Sequence, residues 1–429
     1  MLKRSALFMW PMMGQMLMPG REPIEKALFR LTLEDELRLD ATIYAQWTVM
    51  FSQKTTETQT PLLAMNRVLK RVREAIAADS ITETVLFCIL VLSAKPLDLK
   101  PVTGFPYRLF QPPAPNAGCI DQIGTVEYRS EHINLARQLV QARGGISSLK
   151  TPGLAEHFQV IDLLDASLRV VPPTLELCFS YRYILETEMA TQRSPLSHAD
   201  AFGPVDDHFK EIVLDLRHCC YMLDELCRSD TQTQNQIQTQ SDATASTTAS
   251  TNYTTTLATT SGRMLPTYRE IVQHRLLNLP PGRPDTEVSR LALLIFSYGV
   301  TLPLPNMRPI RSLTRQLKET LETPFYTTTQ SRELLFWATM VGAMASFTNT
   351  NHNDGDSCDE VEVEEYLYPF FVDALRNLAV ELNVGPSWDD VRGLLGNFVW
   401  LGRACDEGSR YVWDNLFVDP ACAFGFLGQ

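Results

Sequence analysis

The sequence predicts an all-α protein, and three observations carry that reading. Apolar residues recur at helical spacing through most of the 429 residues. Alternating apolar and polar runs are nearly absent, and the β-branched residues gather in one polar tract instead of strand-like segments. Breakers such as Gly385-Pro386 fall where the periodic segments stop. With 45% hydrophobic residues the chain can bury a substantial core, in one large domain or two closely packed ones.

Taken in order, residues 23 to 100 read as four helices: Ile24 to Leu37, Ala41 to Phe51, Leu62 to Ala78 and Thr82 to Ala94. Pro101, Pro106, Pro112, Pro113 and Pro115 then make a connector that breaks any regular element. Helical periodicity returns from 130 to 227, interrupted at Pro172-Pro173 and from Thr191 to Pro204. His208 to Arg228 is a helix with Ile212, Leu216, Met222 or Leu223, and Leu226 on its inner side.

Thr231 to Ser261 is a low-complexity tract. Of its 31 residues 21 are Thr, Gln or Ser and Asp242 is its one charge, so it has little to bury against the entropy of ordering it; it reads as a disordered insertion. The expected organisation is therefore an N-terminal segment (1–22), a first helical part (23–230), the insertion (231–261) and a second helical part (262–429). The helices on either side of the insertion should pack together, because the C-terminal ones carry wide apolar faces that need partners.

Three amphipathic helices close the chain. Ser331 caps the first, whose Leu334, Trp337, Ala338, Val341 and Met344 share a face. The second carries Leu367, Phe370, Phe371, Ala374, Leu375, Leu378 and Leu382, up to the stop at Gly385-Pro386. Ser387-Trp-Asp-Asp390 is a capping box for the third, with Val391, Leu394, Leu395 and Phe398 inward.

The wording of these helices adds to their periodicity. Leu334 to Ser346, the Tyr-Pro-Phe-Phe helix at 368 to 371, Ser387 to Trp400 and Cys405 to Trp413 together resemble the C-terminal part of the fungal-specific transcription factor domain. His132 to Gly145 is similar to that family's helix ending in Arg-Gly-Gly, and Gln273 to Pro280 to its His-Arg-Leu-Leu segment, with a matching helix from Arg290 to Leu294. The resemblance spans about Pro23 to Phe417. It implies an all-helical, bundle-like regulatory domain that modulates transcription by effector response, dimer contacts or masking of activation. Such domains usually follow a zinc-cluster DNA-binding head, and no such head is visible in this sequence. On that comparison residue 1 falls mid-protein, the head lost or never present.

Composition and motifs set the limits. A net charge of −12 argues against sequence-independent binding to phosphate, and Lys70-Arg71-Val72-Arg73 reads as a solvated helix face. The nine cysteines stand at 88, 119, 178, 219, 220, 227, 358, 405 and 422 without a C-x2-C pair, so they read as core or surface thiols of a reducing compartment. Lys3-Arg4 and the apolar run after it have the outline of a secretion signal, which Pro11 and Gln15 interrupt.

No nucleophile elbow, zinc-protease motif, phosphate loop or dinucleotide fingerprint is present in the sequence. His132 and His274 read as structural, and His208, His218 and Cys219 lack the matched spacing of a metal site. The enzyme alternative is a magnesium-dependent, terpene cyclase-like protein using Asp206, Asp207 and Glu211, since hard cations need converging carboxylate oxygens. Its second motif would begin at Asn353-Asp354, but Val361 stands where a glutamate is needed. The reading favoured by the sequence is a non-enzymatic regulatory protein without catalytic residues, metal or cofactor. It would sit in the nucleus (alternatively the cytoplasm), away from membranes, and act through a DNA-bound protein partner or a homodimer.

Overall fold

The structure, a computed structural model, describes residues 24–50, 59–96, 109–114, 124, 126–192, 200–240, 260–328, 330–347 and 366–417. The N-terminal segment 1–22, most of the connector prolines, residues 241–259 of the insertion and the acidic stretch from Asn349 to Glu365 lie outside them.

The fold is all-α. The two helices expected over Ile24 to Leu37 and Ala41 to Phe51 are α1 (Ile24–Glu34) and α2 (Glu36–Met50), with the break moved up to Asp35. The Asp35 carboxylate accepts from the backbone N–H groups of Leu37 at 2.9 Å and Arg38 at 3.2 Å, so it caps α2 and fixes the break. After α3 (Gln59–Ala77) comes α4 (Glu83–Ser93), capped by Thr82, whose side chain accepts from Val85 N–H. Every residue of α4 from Val85 to Ser93 is buried, as expected for a helix apolar on all sides. Its end runs into a three-residue antiparallel ladder between β1 (Ala94–Pro96) and β2 (Val126–Tyr128), with Ala94 opposite Tyr128. That ladder delivers the chain to α5 (Ser130–Ala142), which packs on α4.

The glycine pair expected to stop α5 does so. Gly144 and Gly145 have φ of 99° and 86°, and their N–H groups bond the carbonyls of Gln141 and Val140. Helix α6 (Leu154–Arg169) follows. Then α7 (Phe179–Ile184) leads into a π-helical turn, Leu185–Met189.

Helix α8 (Asp207–Gln240) buries Ile212, Leu216, Met222, Leu223 and Leu226 as expected. Its backbone stays helical to Gln240, past the boundary at Thr231; a nucleated helix extends at little cost through residues such as Gln. Helix α9 (Thr260–Leu277) packs against α8, α6 and α10 (Glu287–Phe296), so the parts on either side of the insertion share one core. A second π turn, Ser297–Thr301, follows α10 and leads to α11 (Arg308–Glu322).

The hub of the C-terminal half is α12 (Arg332–Ser346), in contact with α10, α11, α13 (Leu367–Glu381), α14 (Trp388–Leu395) and α15 (Gly402–Asp414). Ser331 caps it, accepting from Leu334 N–H at 3.1 Å. All residues from Leu334 to Ser346 are buried, so the expected apolar face is part of a helix enclosed on every side. Trp337 stacks on Phe398 with ring centroids 5.4 Å apart and meets Phe202 edge-on at 5.5 Å. The stop of α13 comes before Gly385-Pro386: Asn383 adopts φ 49°, and Asn383 and Val384 N–H bond the carbonyls of Val380 and Ala379. Ser387 caps α14 as expected, accepting from Asp390 N–H at 3.2 Å.

Candidate functional site

The polar chemistry of the interior concentrates on α9. Leu265, Ile271, Val272 and Leu276 are fully buried there, yet Arg269, Glu270, Gln273, His274 and Arg275 share the same helix. Polar groups in such surroundings need partners, and each of these side chains has at least one, although the buried amide nitrogen of Gln273 has none among the described residues. Arg275 donates to Asp215 and, at 2.8 Å, to Glu211, both on α8. Its ring neighbour His208 lies 3.4 Å from the same guanidinium nitrogen. Gln273 accepts from the Ser297 hydroxyl at 2.8 Å, and Ser297 lies 3.0 Å from Thr301 within the second π turn. His274 Nε2 sits 3.0 Å from the carbonyl of Leu175, and burial pulls its pKa down, so the ring is neutral and donates.

Glu270 differs from its neighbours. It is half-buried and accepts from the Tyr181 hydroxyl, beside the first π turn, while burial pushes its carboxyl up to about 7. Tyr268 reaches toward Glu188, on that π turn, at 3.5 Å. This carboxyl can therefore take up or release a proton near neutral pH.

A second network pins α5 to α6. Arg137 donates to Asp162 at 2.6 Å and to Asp165 at 2.8 Å, and the other oxygen of Asp162 accepts from Leu175 N–H at 2.9 Å. The neighbouring space between Leu90, Ile133, Phe158, Ile161 and Leu175 has no room for a water molecule. His132, at the head of α5, lies 3.0 Å from the carbonyl of Leu92.

The carboxylates of the cyclase alternative are placed as follows. Asp206 caps α8 by accepting from Phe209 N–H at 2.8 Å and pairs with Arg283 at 2.8 Å; both contacts hold its pKa below the usual carboxylate range. Asp207 is on the exposed first turn of α8, and Glu211 faces Arg275. Two of the three oxygen donors thus meet guanidinium groups. Among the described residues no cluster of three or more His, Cys, Asp or Glu side chains is placed to hold a metal ion. The second motif, from Asn353, lies outside the described residues.

Cys219, Cys220 and Cys405 are buried, and burial pushes their thiols upward, so they stay protonated and unreactive. No helix among the described residues is long and apolar enough to cross a membrane.

The sequence reading missed two features. Arg269 and Glu270 drew no attention, because a charged pair between apolar residues on one helix looks like an exposed face. The segment from Leu109 to Ala114 read as connector, although Leu109 and Phe110 keep only 7% and 1% of their surface exposed. An apolar pair directly before Pro112-Pro113 was its available signal.

No family model, no curated protein and no solved structure matches this chain.

Proposed function

We propose that the chain is a non-enzymatic, helical transcription-regulatory protein that works in the nucleus through protein partners, without a DNA-binding zinc cluster of its own among these residues. The observation that carries this reading is the order of the family-like segments, whose polar residues turn inward to hold the fold. His132 meets the Leu92 carbonyl, His274 the Leu175 carbonyl, Arg275 pairs with Asp215, and Trp337 donates to the Val399 carbonyl at 3.1 Å. Segments built this way serve as scaffold. The acidic balance, −12 over the chain, also favours protein partners over bare phosphate.

The test is to fuse the full chain to a sequence-specific DNA-binding domain and read transcription from a reporter carrying its site. A severalfold change in either direction, relative to the DNA-binding domain alone, is expected. A folded, nuclear fusion that leaves the reporter unchanged would overturn the proposal.

A further inference from the structure

The segment Leu109–Ala114 is neither helix nor strand, and it lies across elements far from it in sequence. Its backbone bonds are made to those elements. Gln111 N–H donates to the Ala404 carbonyl on α15 at 2.8 Å, and its side-chain amide to Glu407 at 2.8 Å. The Ala114 carbonyl accepts from the buried guanidinium of Arg269 on α9 at 3.3 Å, and the Pro113 carbonyl from the Cys227 thiol on α8 at 3.6 Å.

Two glycines make room for it. A Cβ at Gly408 on α15 would overlap the carbonyl of Leu109, and one at Gly299 would come within 2.7 Å of the Phe110 ring. Gly299 belongs to the second π turn, and such turns recur at functional sites because they redirect side chains out of the helical ladder. The groove therefore has the parts of a peptide site: close seats for Leu109 and Phe110, and backbone and side-chain donors and acceptors along Gln111, Pro113 and Ala114.

We propose that this groove is a recognition site for an extended Leu-Phe-x-Pro-Pro peptide. Leu109–Ala114 fills it as an internal pseudo-ligand, and a partner protein bearing an accessible stretch of the same pattern displaces it in trans. The proposal rests on the reading of the chain as an interaction protein, but its readout is local and does not involve transcription.

Amide hydrogen exchange on the full chain tests it, with Gln111 N–H as reporter and α12 amides as the measure of global opening. Without added peptide, Gln111 should exchange through a local opening, faster than α12. A synthetic Arg108–Pro115 peptide at several millimolar should displace most of the segment and speed Gln111 exchange at least tenfold while leaving α12 unchanged, since a tethered segment competes at roughly millimolar effective concentration. The same peptide with Phe110→Asp should do nothing. In a second arm, Phe110→Ala in the protein leaves the groove open and should bind the labelled peptide, whereas Gly408→Val should not.

Gln111 exchanging only with α12, or a peptide without effect, would make the segment ordinary core and overturn the proposal, even if both variants fail to fold. Exchange of Gln111 that rises with protein concentration would name a second copy of this chain as the occupant, and the partner proposal would fall.

Discussion

Trp337→Ala is the perturbation that reaches furthest into the packing argument. Trp337 has no exposed surface, stacks on Phe398, meets Phe202 edge-on and donates its indole N–H to the Val399 carbonyl. Emptying a fully buried tryptophan site costs about 3–5 kcal/mol, because the surrounding helices collapse only in part. That total combines lost apolar burial and the cavity with the orphaned Val399 carbonyl and the two ring contacts. Trp337→Phe separates these, since it keeps an aromatic ring but loses the donor, and it should cost roughly half as much. The assay is urea denaturation followed by circular dichroism, with Val380→Ala as a surface control at 72% exposure and an expected change within about 0.5 kcal/mol. A Trp337→Ala protein within about 1 kcal/mol of the parent would refute the placement of α12 at the centre of the C-terminal half.

Three other predictions bear on the charged interior. Glu270 holds its proton up to about pH 7 when folded, against an ordinary value of 4.5. Between those values the folded state binds more protons than the unfolded one, so the contribution is full below 4.5 and is lost as pH rises through 7. Glu270→Gln stays neutral, so its stability relative to the parent should climb across that window by at most about 3 kcal/mol, reduced by the part of Glu270 that touches water. His157, buried and lowered from 6.5 to about 4, destabilises in the opposite direction as pH falls through that range, and it cancels in the comparison. A flat difference between parent and variant from pH 4 to 8 would remove the proton from Glu270. Arg275→Met leaves Asp215, with 1% of its surface exposed, buried without its guanidinium and should cost about 3–5 kcal/mol, most of it recovered by adding Asp215→Leu. A single variant as stable as the parent would mean that other groups satisfy Asp215. Magnesium with inorganic diphosphate should leave the melting temperature unchanged, because Asp206 and Glu211 face Arg283 and Arg275. A site filled at a hundredfold excess over its Kd would add about 2.7 kcal/mol, so a rise of several degrees would return these carboxylates to a metal.

The sequence was most legible where structure is local. The caps at Ser331 and Ser387 follow from residues within one turn, and each stands where its spacing put it, while the glycine stop after α5 stands where the resemblance put it. The break expected after Leu37 falls two residues earlier, at Asp35, because its capping carboxylate lies inside the apolar period. Asn383 preempted Gly385 for a similar reason: both can end a helix, and only the backbone geometry shows which residue turns left-handed.

The candidate site was less legible because its partners are far apart in sequence. Arg275 and Asp215, Tyr181 and Glu270, and Gln111 and Ala404 meet only once α7, α8, α9 and α15 are packed. Periodicity reports that a face is apolar; it does not report which charged residues on the same helix find partners across it. The seat of Phe110 depends on Gly299 lacking a side chain, a dependence that no local pattern encodes.

The proposed action at promoters through a DNA-bound partner is tested most directly by chromatin immunoprecipitation of the tagged chain. Enrichment at discrete promoters in cells is expected, while the purified chain, acidic overall, fails to retard DNA fragments from those same promoters. Recovery at background levels across the genome, from a folded and abundant protein, would contradict it.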